Sequence, residues 1–158
     1  MEQKIGLVSL GCPKNLVDSE IMLGTLKDAG YELTEKHDTA DVIIVNTCAF
    51  IGDAKEEAVM AILEAARYKE EGKLKLLVVT GCLAERYKED IYKEIPEVDL
   101  VVGTGSIDRL PEIIGKYLTE GSNEKTVYAD TPNTVDYLEL TRMVTDGKPY
   151  GYLKIAEG

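Results

Sequence analysis

Apolar residues along this chain follow two periods, and the two alternate. The stretches "KIGLVSLGC", "ADVIIVNTC" and "KLLVVTGC" are rich in β-branched residues or leucine, then carry one to three small or polar residues, then a cysteine. Continuous rather than alternating apolarity predicts strands covered on both faces, the pattern of a parallel sheet. A fourth stretch, "VDLVVG", has the same character without a cysteine.

Between these runs the period lengthens to that of a helix. The first helix is predicted from Asn15 as N-cap, with Asp18 three residues on and Met22, Leu26 and Ala29 on one face. The second follows Asp53, with Glu56 at the capping-box position, a stripe of Val59, Ile62, Leu63 and Ala66, and Gly72 as the stop. A third carries Leu83, Tyr87 and Ile91 and ends before Pro96; a fourth carries Leu110, Ile113, Ile114 and Tyr117. Four strand–helix units thus occupy residues 1–119, and right-handed crossovers fold them into an α/β domain. Its expected form is an open parallel sheet with helices on both faces, three-layered and Rossmann- or flavodoxin-like. Residues 120–158 lose the helical period, are rich in Thr, Asp and Tyr, and close on "YGYLKIAEG". They read as an irregular or hairpin linker leading into a further domain.

A chain of 158 residues, 44% hydrophobic, holds an adequate core without disulfide or metal support. It has no apolar stretch of membrane-spanning length and no signal-peptide pattern, so a cytoplasmic protein is expected. The net charge of −11 has the wrong sign for a surface that tracks phosphates, which argues against nucleic-acid binding by this domain. Cys12, Cys48 and Cys82 lie 36 and 34 residues apart, with no C-x-x-C pair. That spacing fits neither a zinc ribbon nor a secreted disulfide framework.

Parallel-strand geometry gives the thiols a meaning. Loops that follow the strands of an open parallel sheet emerge along one edge, where such folds bind ligands. All three cysteines occupy that loop in their own unit, so residues distant in sequence are expected to converge. Each also precedes a helix N-terminus, which favours thiolate. Three convergent thiolates suit a soft metal centre: an iron–sulfur cubane with one open iron, or a catalytic zinc with water as fourth ligand. The lone histidine, His37, precedes the second strand and belongs at the opposite edge. "GTGS" at 103–106 lacks the lysine of a phosphate loop and reads as a turn with Ser106 as N-cap.

"SLGCPKNLVDSE", "VNTCAFI", "TGCLAERY" and the terminal "YLKIAEG" closely resemble the methylthiotransferases, radical S-adenosylmethionine enzymes that insert a methylthio group at unactivated C–H bonds. Within them the match is to the type that modifies the β-carbon of an aspartate in a small-subunit ribosomal protein. Pro13-Lys14 after the first cysteine separates it from the tRNA adenosine type, which carries Gln-Met there. The resemblance implies that Cys12, Cys48 and Cys82 ligate an auxiliary [4Fe–4S] cluster, and assigns no residue here an acid–base role. It also implies a second [4Fe–4S] cluster and S-adenosylmethionine in a radical barrel beyond Gly158, without which residues 1–158 are catalytically incomplete. The expected partners are that barrel and the ribosomal protein, for a monomer that meets no membrane. The alternatives are a tRNA methylthiotransferase and a non-catalytic thiol- or metal-binding module.

Overall fold

The structure, a computed structural model, describes residues 3–10, 13–47, 52–81, 90–91, 93–103, 109–120 and 126–128. Six strands form one sheet: β1 (Lys4–Ser9), β2 (Glu32–Leu33), β3 (Val42–Thr47), β4 (Leu76–Gly81), β5 (Leu100–Val102) and β6 (Thr126–Tyr128). Their order is β2-β1-β3-β4-β5-β6, and every neighbouring pair is parallel. The continuous apolar runs explain the centre of this sheet. All six residues of β3 and all six of β4 are buried, as strands covered on both faces require.

Helices α1 (Pro13–Asp28), α2 (Gly52–Ala66), α3 (Tyr68–Glu71) and α4 (Leu110–Glu120) cover the two faces. One core packs Ile21, Met22 and Leu26 of α1 and Leu110, Ile113 and Ile114 of α4 against Ile5, Val42, Ile44, Leu76, Val78 and Leu100. The other packs Ala58, Ile62, Ala65 and Ala66 of α2 against Ile43, Val45, Leu77, Val79 and Val101. Alternate residues of β3 and β4 therefore serve opposite layers, and the three-layer expectation holds. Ile91 joins the α2 side, among helical residues at 90, 91, 93 and 94. Leu83, Tyr87 and Ser106 lie outside the described residues.

Several local expectations need correction. Helix α1 begins at Pro13, so Asn15 lies inside it. Proline suits a first helical position, having a fixed φ and no N–H to leave unpaired, and it starts the helix before Asn15 can cap it. Helix α2 begins at Gly52, one residue before Asp53, so Asp53 lies inside the helix rather than ahead of it. Ala29 follows the end of α1 and is exposed, and Leu63 is 42% exposed. Gly72 does follow the last residue of α3. Residues 126–128, within the stretch read as linker, form a parallel strand beside β5, with Leu100 opposite Thr126 and Val102 opposite Tyr128. That strand runs parallel to β5, and the rest of the stretch read as an irregular or hairpin linker, residues 121–125 and 129–158, lies outside the described residues. No helix among the described residues is long and apolar enough to cross a membrane.

Candidate metal centre

The sheet changes winding direction between β1 and β3. Helix α1, which follows β1, lies on one face, whereas α2, which follows β3, lies on the other. A switch point of this kind, at the carboxyl ends of the strands, is the usual ligand site of open α/β sheets. The residues at those ends are Ser9, Asn46 and Thr47, with Thr80 and Gly81 on the next strand. Register places them side by side: Ser9 opposite Asn46, Asn46 opposite Thr80 and Thr47 opposite Gly81. Cys12, Cys48 and Cys82 lie outside the described residues. What is described is the edge from which each departs: Cys48 and Cys82 directly follow the last residues of β3 and β4, and Cys12 comes three residues after Ser9.

Polar bonds knit this edge together. Asn46, 1% exposed and next to Thr47 at the end of an apolar strand, donates from Nδ2 to Ser19 Oγ of α1 at 2.8 Å. Ser19 in turn donates to Ser9 Oγ at 2.7 Å. The Leu10 amide donates to the Asn46 carbonyl at 3.0 Å, carrying the β1–β3 pairing one residue past β1. Thr47 Oγ1 donates to the Thr80 carbonyl at 2.6 Å. A buried polar side chain costs stability unless it is bonded, so these pairings fix strand ends and helix α1 relative to one another.

Gly81 completes the edge. Its φ is +95°, and a Cβ built there would collide with the Thr47 carbonyl oxygen and come within 2.5 Å of Asn46 Oδ1 and 2.7 Å of the Thr47 amide. Only glycine combines that conformation with that closeness. The end of β4 therefore closes directly against the end of β3, one residue before Cys82 and Cys48 respectively. Thr80 Oγ1, fully buried beside it, has no hydrogen-bond partner among the described residues. Three strand ends side by side, a close glycine approach and a spare hydroxyl able to donate to sulfur fit a thiolate-held group at this edge.

His37 stands elsewhere, as its place before β3 predicts. It opens a 3-10 turn (His37–Thr39) ahead of that strand, and its ring crosses that of Tyr68 edge-on at 6.5 Å. Its Cδ2 would meet a Cβ at Gly6, in the first half of β1, at 2.8 Å. Among the described residues no group of three His, Cys, Asp or Glu side chains is placed to hold a metal ion. Pattern reading missed Ser9, Ser19 and Asn46. The one available signal was an asparagine and a threonine closing the apolar run "VIIVNT", polar groups that a buried strand must satisfy.

The chain is 52% identical to the ribosomal protein uS12 methylthiotransferase RimO of Caldicellulosiruptor saccharolyticus, with 98% of the chain and 35% of the relative aligned. Identity to the protein of the same name from Lachnoclostridium phytofermentans is 55%, over 98% of the chain and 34% of the relative. For that of Acetivibrio thermocellus it is 48%, over the whole chain and 36% of the relative. The chain spans about a third of the length of these curated relatives. Residues 4–103, which run from the start of β1 to just past the end of β5 and so contain all three cysteine-bearing strand ends, match the family described as Uncharacterized protein family UPF0004, and the chain belongs to it.

Proposed function

We propose that this chain is the cluster-holding part of a methylthiotransferase that modifies the β-carbon of an aspartate in ribosomal protein uS12. The observation that carries the reading is the joining of the β1, β3 and β4 ends at the switch point, each just ahead of a cysteine. Cys12, Cys48 and Cys82 would hold an auxiliary [4Fe–4S] cluster there. When bound, a cluster held by three thiolates supplies an iron with an open position for an exogenous sulfur ligand. A second cluster and S-adenosylmethionine would belong to residues outside this chain. The same reading places the protein in the cytoplasm, as a monomer.

The chain's own contribution is positional. Gly81 sets the spacing between the ends of β3 and β4, and the Asn46–Ser19–Ser9 bonds set that between the ends of β3 and β1. Helix α1 starts one residue after Cys12, and its aligned peptide N–H groups stabilise a thiolate there. The buried β3 and β4 ends form a dry floor, which limits exchange of iron and sulfide with solvent.

The test is anaerobic reconstitution followed by iron and sulfide analysis. Wild-type chain is expected to take up about four irons and four sulfides, and Cys12→Ser, Cys48→Ser or Cys82→Ser each to lose most of that content. Full uptake by the triple variant would refute the ligand assignment. For the enzyme as a whole, a mass increase of one methylthio group on the uS12 aspartate is expected. The same mass on tRNA adenosine instead would transfer the assignment to the other branch.

A further inference from the structure

Far from the rim, the outer side of α2 carries a groove of about 630 Å³. It is lined by Met60, Leu63, Ala66 and charged residues of α2, α3 and the turn at Glu97. Met60 is 66% exposed and Leu63 42%, and they are the large apolar side chains left exposed among the described residues. Both fall in this one groove. Set three residues apart on a helix, they form a single apolar floor.

The walls are acidic. Glu64, Glu70 and Glu97 line the groove, together with Arg67 and Lys69. Both cations are engaged with carboxylates beside it: Arg67 with Glu71 at 3.5 Å, and Lys69 with Asp99 at 2.6 Å. The lining thus holds three carboxylates, and both of its cations are already paired with carboxylates outside it.

We infer that this groove docks a basic polypeptide segment, one that presents a bulky apolar side chain among lysines or arginines. An amphipathic helix laid in a groove by its apolar anchors is a common recognition mode, and methionine adapts well to such anchors. Charge selects the occupant. The acidic wall repels nucleic acid and anionic lipid, and a second copy of a chain with net charge −11 brings more negative charge to it. The volume suits a few side chains of a short segment. Along α2 the groove begins at Met60, eight residues from Gly52, roughly 12 Å at 1.5 Å per residue. An occupant of the groove therefore leaves the cysteine-bearing edge open, and the surface recruits a partner without blocking the site. This inference stands on the groove alone and does not depend on the proposed sulfur chemistry.

A titration of the isotope-labelled chain with a short synthetic Lys/Leu amphipathic peptide tests it, with Glu/Leu and Lys/Ser peptides as controls. Amide shifts are expected across residues 57–71 and at Glu97, with the Glu/Leu and Lys/Ser peptides binding far more weakly. Leu63→Asp, and separately Glu64→Lys with Glu70→Lys and Glu97→Lys, should each weaken the Lys/Leu peptide by about tenfold or more. The triple lysine variant should gain affinity for the Glu/Leu peptide. Circular dichroism checks that both variants stay folded. Equal binding of the Glu/Leu peptide to wild type, indifference to both variants, or shifts centred on Ser9 and Asn46 would overturn the inference. So would self-association of the free chain that Leu63→Asp abolishes, which would assign the face to a second copy.

Discussion

At Gly81 two separate demands fall on one residue, and Gly30 allows them to be told apart. Gly30 ends the turn after α1 with φ +97°, and nothing lies within 4 Å of a Cβ there; Gly81 has φ +95° and a backbone oxygen in the way. Gly30→Ala should therefore cost only the left-handed strain, about 1–2 kcal/mol. Gly81→Ala adds the overlap with Thr47 and should cost clearly more, while also lowering iron uptake. Urea denaturation of both variants, with iron analysis, checks this; equal stability losses would show that the close approach relaxes freely. Asn46→Ala removes the Ser19 bond inside a buried strand and should destabilise by about 1–3 kcal/mol. Asn46 and Gly81 stand two and one residues ahead of cysteines, so their effects belong to the edge as much as to the fold.

Among elements, α2 shows how far an apolar stripe predicts burial. Val59, Ile62, Leu63 and Ala66 share one face by period, yet Ile62 is fully buried and Leu63 is not. The helix turns 100° per residue, so adjacent stripe members cannot both face a sheet squarely, and Leu63 is rotated into the groove. Ile62→Ala is expected to destabilise by about 2–5 kcal/mol, and Leu63→Ala by no more than about 0.5 kcal/mol. Thermal or urea unfolding measures both, and similar losses would place Leu63 in the core. Helix α1 is the opposite case. Asp18, Ser19 and Glu20 are each 1% exposed beside Ile21 and Met22, so its buried face is partly polar. Ser19 is held there because it bonds the ends of two strands.

Across the whole molecule, Asp99 joins the layers at the edge opposite Ser9, Asn46 and Gly81. Its carboxylate accepts from the Leu77 amide of β4 at 2.9 Å, pairs with Lys69 of α3 and accepts from Tyr117 Oη of α4 at 3.4 Å. Burial first, and then the Asp99 charge and hydrogen bond, raise the Tyr117 pKa above that of a free tyrosine; burial alone raises Tyr31. A raised phenol pKa keeps the proton on the folded state, so this stability is whole below about pH 10 and is lost as pH climbs past it. Thermal unfolding followed into alkali should show that decline, shallower in Tyr117→Phe; an unchanged slope would remove Tyr117 as its source. By itself the sequence determined the parallel sheet, the order of its main units and the recurrence of cysteine after three strands. Those features rest on local periodicity, and β3 and β4 declare burial through every residue. Only tertiary structure decided that β2 and β6 join the edges, since two or three residues carry no period and take their place from β1 and β5. It alone decided that Leu63 faces outward and that Ser9, Ser19 and Asn46 form one network, because burial and hydrogen-bond partners are properties of packed neighbours rather than of position along a chain.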